Sequence, residues 1–220
     1  DEVKSPIGYM LAANVENLTL IGSEAINGLG NGLDNILVGN SNVNVLEGGG
    51  GNDTLNGGEG VDNLRGGSGN DTYLIDGSGD TIEEDPNAGT DLVQSSVSYT
   101  LGNNLENLTL TGSGTIDGTG NELANELIGN IKNNILDGGA GIDIMAGGDG
   151  NDIYYVDVAQ DIVLEATGSA PLGLTDEVRS LVTYTLGANV ENLTLIGSGM
   201  IDGTGNALNN LLTGNNMSNV

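Results

Sequence analysis

The chain of 220 residues carries 31 Asp and Glu against 4 Lys and Arg, a formal net charge of −27, and has no His, Cys, Trp or Phe. The missing His and Cys exclude a serine–histidine triad, a thiol nucleophile, thiolate or imidazole metal ligands and disulfides. Four cations cannot neutralise a nucleic-acid backbone, an anionic membrane surface repels so acidic a chain, and no apolar run reaches the length of about 18 residues that a spanning helix needs. Nucleic acid and membrane insertion are therefore not expected.

By composition alone, 3% aromatic residues and this net charge describe a disordered chain. The counter-evidence is internal order. Residues 1–29 open with a Tyr9-centred stretch and then "NVENLTLIGS" at Asn14–Ser23. Here apolar and polar residues alternate, which is strand patterning. The same stretch returns as "NLENLTLTGS" at Asn104–Ser113 and again at Asn189–Ser198, so the equivalent Asn17, Asn107 and Asn192 lie 90 and 85 residues apart. Tyr9, Tyr99 and Tyr184 are equivalent in the same way. The Asn-Leu-Thr triplets fit a glycosylation sequon, but their place in an apolar alternating run reads as strand. No basic start followed by an apolar stretch is present, so no signal peptide is expected. The pattern is cut at both ends, so the chain reads as a piece of a longer protein.

Residues 30–83 switch to a period of nine. The frames are GNGLDNILV, GNSNVNVLE, GGGGNDTLN, GGEGVDNLR and GGSGNDTYL, with Ile75–Glu83 as a degenerate sixth. After a second spacer at 84–119, residues 120–164 repeat the block as GNELANELI, GNIKNNILD, GGAGIDIMA and GGDGNDIYY, then the degenerate Val156–Leu164. Residues 165–204 form a third spacer, with "GSAPLGL" at Gly168–Leu174 read as a projecting loop. Residues 205–220 begin a third block. One missing nonapeptide and four added loop residues account for the shorter second spacing.

Each frame has Gly in its opening positions, Asp or Asn at position 6 and a large apolar residue at position 8. One inward residue in nine suits neither a 3.6-residue helix nor a long amphipathic strand. It suits a three-residue strand followed by a six-residue glycine turn. Two frames close one coil of eighteen residues, and frames i and i+2 stack in parallel about 4.8 Å apart. The predicted fold is an all-β parallel β-solenoid. In the spacers, Leu108, Ile116 and Leu127 are expected to be successive core positions of similar coils.

Such a core is thin. One buried side chain per frame contributes roughly 2 kcal/mol, whereas ordering each residue costs on the order of 1–2 kcal/mol. Position 6 points to the missing stabilisation. Glycine turns expose carbonyls, position 6 adds a carboxylate, and stacking brings carboxylates of successive coils together. Ca²⁺ is a hard cation that takes six to eight oxygens, and it removes the mutual repulsion of the carboxylates as well as adding bonds. The candidate calcium ligands are Gly48, Gly49, Gly51 and Asp53; Gly57, Gly58, Gly60 and Asp62; and Gly66, Gly67, Gly69 and Asp71. In the second block they are Gly138, Gly139, Gly141 and Asp143, then Gly147, Gly148, Gly150 and Asp152. Stacking pairs Asp53 with Asp71, Asp62 with Asp80 and Asp143 with Asp161, and leaves Asp152 above the uncharged Asn134. Asp91 and Asp176 fall where a further turn stacks on Asp71 and Asp152 and are added to the ligand set. Roughly three to eight ions per chain follow from this counting.

Other motifs are set aside. Asn35, Asn44, Asn125, Asn134 and Asn210 at position 6 are read as structural, bonding along the stack. Asp149–Asp152 opens like a helix–loop–helix calcium loop, but Tyr154 stands where that loop needs Gly. No Gly-Lys-Ser/Thr follows a glycine run, which excludes a phosphate loop. Tyr73, Tyr154 and Tyr155 are read as core or edge residues.

The five GGxGxDxUx frames resemble the RTX, or hemolysin-type calcium-binding repeat, family. The spacers resemble those of long bacterial RTX proteins. The resemblance implies a right-handed parallel β-roll, type I secretion from a Gram-negative bacterium, and folding outside the cell, where calcium is abundant. Two roles are in competition. One is a structural module of a secreted or cell-surface protein, such as an adhesin, matrix fibre or surface layer, meeting other copies of the repeat or surface polysaccharide. The other is a calcium-dependent folding module beside a secreted protease, lipase or alginate epimerase. A third, carbohydrate binding by Tyr9, Tyr99 and Tyr184, has weaker support. Intrinsic catalysis is not expected, because the carboxylates are committed to calcium.

Overall fold

A computed structural model describes residues 1–77, 79–165 and 174–220. The loop expected at Gly168–Leu174 lies outside the described residues apart from Leu174. Among the described residues there is no helix, and short strands pair in parallel throughout. The chain divides into two units, residues 1–97 with 102–107 and residues 98–101 with 108–220.

The first unit holds β1 (Glu2–Ser5), β2 (Tyr9–Met10), β3 (Asn17–Leu20), β4 (Gly28–Leu29), β5 (Ile36–Val38), β6 (Val45–Gly50), β7 (Thr54–Asn56), β8 (Asn63–Ser68), β9 (Thr72–Ile75), β10 (Thr81–Ile82) and β11 (Leu92–Ser95). Its odd-numbered strands form one parallel sheet in chain order and its even-numbered strands another. The chain therefore winds as a coil, alternating between two walls. Leu37 pairs with Leu55 and Leu55 with Tyr73, while Leu46 pairs with Leu64 and Leu64 with Ile82. This is the predicted eighteen-residue stacking.

The second unit is wound in the same way. It holds β12 (Tyr99–Thr100), β13 (Asn107–Leu110), β14 (Gly118–Thr119), β15 (Glu126–Ile128), β16 (Ile135–Asp137), β17 (Ile144–Ala146), β18 (Ile153–Val156), β19 (Ile162–Leu164), β20 (Glu177–Ser180), β21 (Tyr184–Thr185), β22 (Asn192–Leu195), β23 (Gly203–Thr204) and β24 (Leu211–Thr213). Leu127 pairs with Met145 and Met145 with Val163; Leu136 pairs with Tyr154 and Tyr154 with Val178.

The core is a column of position-8 side chains. Leu37, Leu46, Leu55, Leu64, Tyr73, Leu127, Leu136, Met145 and Tyr154 are all fully buried. The degenerate frames keep the register through Ile82 and Val163.

The spacers continue the winding with a different core. Leu18 pairs with Leu37 and Leu193 with Leu212, nineteen residues apart, whereas Val3 pairs with Leu18 and Val178 with Leu193 at only fifteen, so spacer coils vary in length. The intervening core position is not Ile116, as the spacing predicts. Gly118 occupies it, paired with Tyr99 below and Leu136 above, while Ile116 is half-exposed. A side chain there would be crowded: a Cβ on Gly118 would stand 3.0 Å from a Leu108 methyl and 3.3 Å from a Leu136 methyl. Leu108 and Leu110 both point inward from the facing strand and fill the width. Gly28 and Gly203 stand in the same place in their own spacers.

Candidate metal centre

The opening glycines of each GGxGxD turn are required for two separate reasons. The second and fourth, namely Gly49 and Gly51, Gly58 and Gly60, Gly67 and Gly69, Gly139 and Gly141, Gly148 and Gly150, all have φ between 77° and 148°. Side chains rarely adopt that backbone region. The first glycine is needed for space. At Gly48, Gly57, Gly66, Gly138 and Gly147 an added Cβ would fall on the position-6 carboxylate of the same turn. At Gly48 the added Cβ would also stand 2.7 Å from the Gly66 carbonyl oxygen of the next coil.

The position-6 carboxylates stack as predicted. The backbone N–H of Asp53 donates to Asp71 Oδ1 at 2.7 Å, that of Asp62 to Asp80 Oδ1 at 3.1 Å and that of Asp143 to Asp161 Oδ1 at 3.1 Å. Asn134 N–H donates to Asp152 Oδ1 at 2.7 Å. Asp91 and Asp176 complete the column, accepting from Asp71 and Asp152 N–H at 2.8 Å each. Asp152 therefore has a charged neighbour above as well as Asn134 below. One oxygen of each carboxylate is thus used by the coil beneath.

The other oxygen is the informative one. The Oδ2 atoms of Asp53, Asp62, Asp71, Asp91, Asp143 and Asp152 are buried and have no hydrogen-bond partner. A buried carboxylate without a partner must either take up a proton or meet a cation. Burial, helped by neighbouring carboxylates, pushes Asp53 and Asp152 up to about 7 and Asp62, Asp91 and Asp143 up to about 6. Burial also raises Asp71, and takes Asp176 to about 6. The side chains of Lys4, Arg65 and Arg179 pair with Glu2, Glu47, Glu83 and Glu177 instead. The donor set is oxygen only, buried and anionic, with a carbonyl close by, which fits a hard divalent cation. The degenerate frames differ: Asp80 Oδ2 accepts from Gly77 N–H and Asp161 Oδ2 from Val158 N–H, so these oxygens already have local donors.

The Asn frames are built differently. Asn35 and Asn44 Oδ1 accept from the N–H of Asn31 and Asn40, within their own turns, at 2.7 and 2.8 Å. Their Nδ2 groups donate to Glu16 and Ile26 carbonyls in the coil below. Asn125, Asn134 and Asn210 accept in the same way from Asn121, Asn130 and Asn206. These turns satisfy their own polar groups.

Sequence patterning did not single out Glu84, Glu165 or the role of the two core tyrosines. Tyr73 Oη accepts from Gly66 N–H at 2.7 Å and donates to Glu84; Tyr154 Oη accepts from Gly147 N–H at 2.8 Å and donates to Glu165. Burial lifts both phenols well above their ordinary range and Glu84 to about 7. The available signal was positional. Each Glu lies eighteen residues, one coil, beyond the first Gly of a GGxGxDxY frame.

A parallel solenoid whose glycine turns stack buried carboxylates defines a class of protein, the cation-binding repeat modules. The sequence profile of the RTX calcium-binding nonapeptide repeat (4 copies) matches residues 29–64, 38–73 and 119–162. Over those residues the chain matches the RTX calcium-binding nonapeptide repeat. The chain is also similar to the endo-1,3-1,4-beta-glycanase ExsH of Rhizobium meliloti (strain 1021), at 37% identity over 89 residues. That match covers 40% of this chain and 18% of the relative's length.

Proposed function

We propose that this chain is a non-catalytic module of a secreted or cell-surface bacterial protein, held in its solenoid form by Ca²⁺ bound between stacked GGxGxD turns. The observation that carries this reading is the set of six buried carboxylate oxygens without a partner. At low calcium these charges oppose folding; at high calcium each pair of turns is bridged, so the module folds where calcium is abundant. Circular dichroism tests it. In chelator at neutral pH the chain should lose most of its β-signal and regain it on adding calcium. A spectrum indifferent to calcium overturns the reading.

A second reading concerns the context of the module. The segment shared with the glycanase is less than a fifth of that protein, the size expected of a module lying beside a catalytic domain. The same calcium-folded solenoid would then accompany a secreted glycan-acting enzyme. In either context this chain alone should not hydrolyse a 1,3-1,4-β-glycan.

A further inference from the structure

We propose that each nonapeptide block ends in a calcium site of altered composition, built from Asp71, Glu84 and Asp91 in the first unit and from Asp152, Glu165 and Asp176 in the second. The proposal rests on the calcium reading above and extends it to residues that the nonapeptide does not contain.

The geometry is that of a shared ion. In each group one carboxylate oxygen from every member lies within 4.8 Å of the others. Oxygens bound to one Ca²⁺ at about 2.3–2.6 Å are at most about 5 Å apart. Three carboxylates so close repel one another strongly unless a cation or protons intervene. A second observation is independent of the clustering. Asp71 and Asp91 are 1% exposed and Asp152 is fully buried, and the Oδ2 atom of each has no partner.

The register explains why Glu appears here. The coil above Gly66 has no GGxG turn; it reads Glu84-Asp85-Pro86-Asn87-Ala88-Gly89. Glu84 takes the place of the first glycine, so a side-chain oxygen can replace the turn oxygens that the missing glycines would have offered. Tyr73 stands where most frames have Leu, and its hydroxyl bridges Gly66 N–H and Glu84, fixing the carboxylate over the turn. Asn104 Nδ2 holds the Glu84 carbonyl from above at 2.8 Å. The second unit repeats every part: Tyr154 bridges Gly147 and Glu165, and Asn189 holds the Glu165 carbonyl at 3.2 Å. The two aspartates are twenty residues apart in the first unit and twenty-four in the second. The group is therefore assembled identically across loops of different length.

The test is calcium stoichiometry and affinity on the whole chain, measured by equilibrium dialysis and calorimetry. Glu84→Gln with Glu165→Gln keeps shape and hydrogen bonding and removes the charge. The double variant should bind two fewer ions per chain and still fold at saturating calcium. Tyr73→Phe with Tyr154→Phe should keep the full number of ions while weakening the last two to bind. Unchanged stoichiometry and affinity in the Gln variant overturns the proposal. If the double variant does not fold, the single variants decide: each losing one ion supports the sites, and each keeping the wild-type number overturns them. Failure of the wild-type chain to bind any calcium is a different result and overturns the underlying reading.

Discussion

The GGxGxD and GNxxxN turns share a nine-residue period, a strand register and a core residue, yet they solve the same problem by opposite means. In the Asn turns the second residue is Asn, whose side chain closes the turn. Asn130 Oδ1 accepts from Lys132 N–H at 2.8 Å, and its Nδ2 donates to Gly112 and Gly114 carbonyls at 2.6 and 2.9 Å. Asn206 bonds in the same way to Leu208, Gly187 and Val190. Such a turn is complete without a ligand. In the Gly turns that side chain is absent, the backbone adopts positive φ, and position 6 is a charge with one oxygen left over. On the calcium reading proposed above, a cation is called for only where the turn gives up its own side-chain bonds.

Exchanging the position-6 residues is the strongest way to break this contrast. Asp62→Ala should greatly weaken calcium-driven folding, because it removes a buried ligand shared by two coils. Asn44→Ala should cost about 1–3 kcal/mol for its lost buried hydrogen bonds, equally with and without calcium. Calcium midpoints by circular dichroism, alongside urea unfolding in calcium and in chelator, separate the two. Equal shifts in calcium midpoint would refute the contrast.

An intermediate effect is expected from pH. In the metal-free fold the carboxylates at Asp53 and Asp152 titrate near 7 and those at Asp62, Asp91 and Asp143 near 6, against about 3.9 in an unfolded chain. The folded form therefore binds more protons. Its stability from these groups is fully present below about pH 4 and is lost as pH rises through 6 to 7. In chelator, stability should fall between about pH 4 and 7, as read by denaturant unfolding. In calcium the slope should reverse, because protons compete with the ion and release it on acidification. Parallel slopes in the two conditions would remove the carboxylates from the account.

The smallest effect sharpens the reason for the second glycine. Gly148 has φ 94°, and a Cβ there would meet only the Asn130 carbonyl at 3.2 Å. Gly148→Ala should thus destabilise the calcium-bound chain by about 1 kcal/mol through backbone strain, seen as a modest fall in melting temperature. A neutral result would show that the turn adapts its backbone.

Much of this was legible in the residues. The period of nine places Leu37 beneath Leu55 and Asp53 beneath Asp71 without knowledge of any contact, because a fixed period forces fixed neighbours in a parallel stack. The degenerate frames could be read the same way, since Asp80 and Asp161 kept their spacing. Where the period lapsed, reading failed. Ile116 looked like the core residue of its coil, but Leu108 and Leu110 already fill that width and crowd the position that Gly118 holds.

The sequence by itself therefore determined the parallel coil, the buried column and the stacked carboxylates, since each depends on spacing alone. The tertiary structure decided which carboxylate oxygens lack a partner and which, as in Asp161, find a local N–H. It also decided that Glu84 and Glu165 reach the end of each block. Those outcomes depend on side-chain length and on how an irregular loop closes its coil, and neither is encoded in a period.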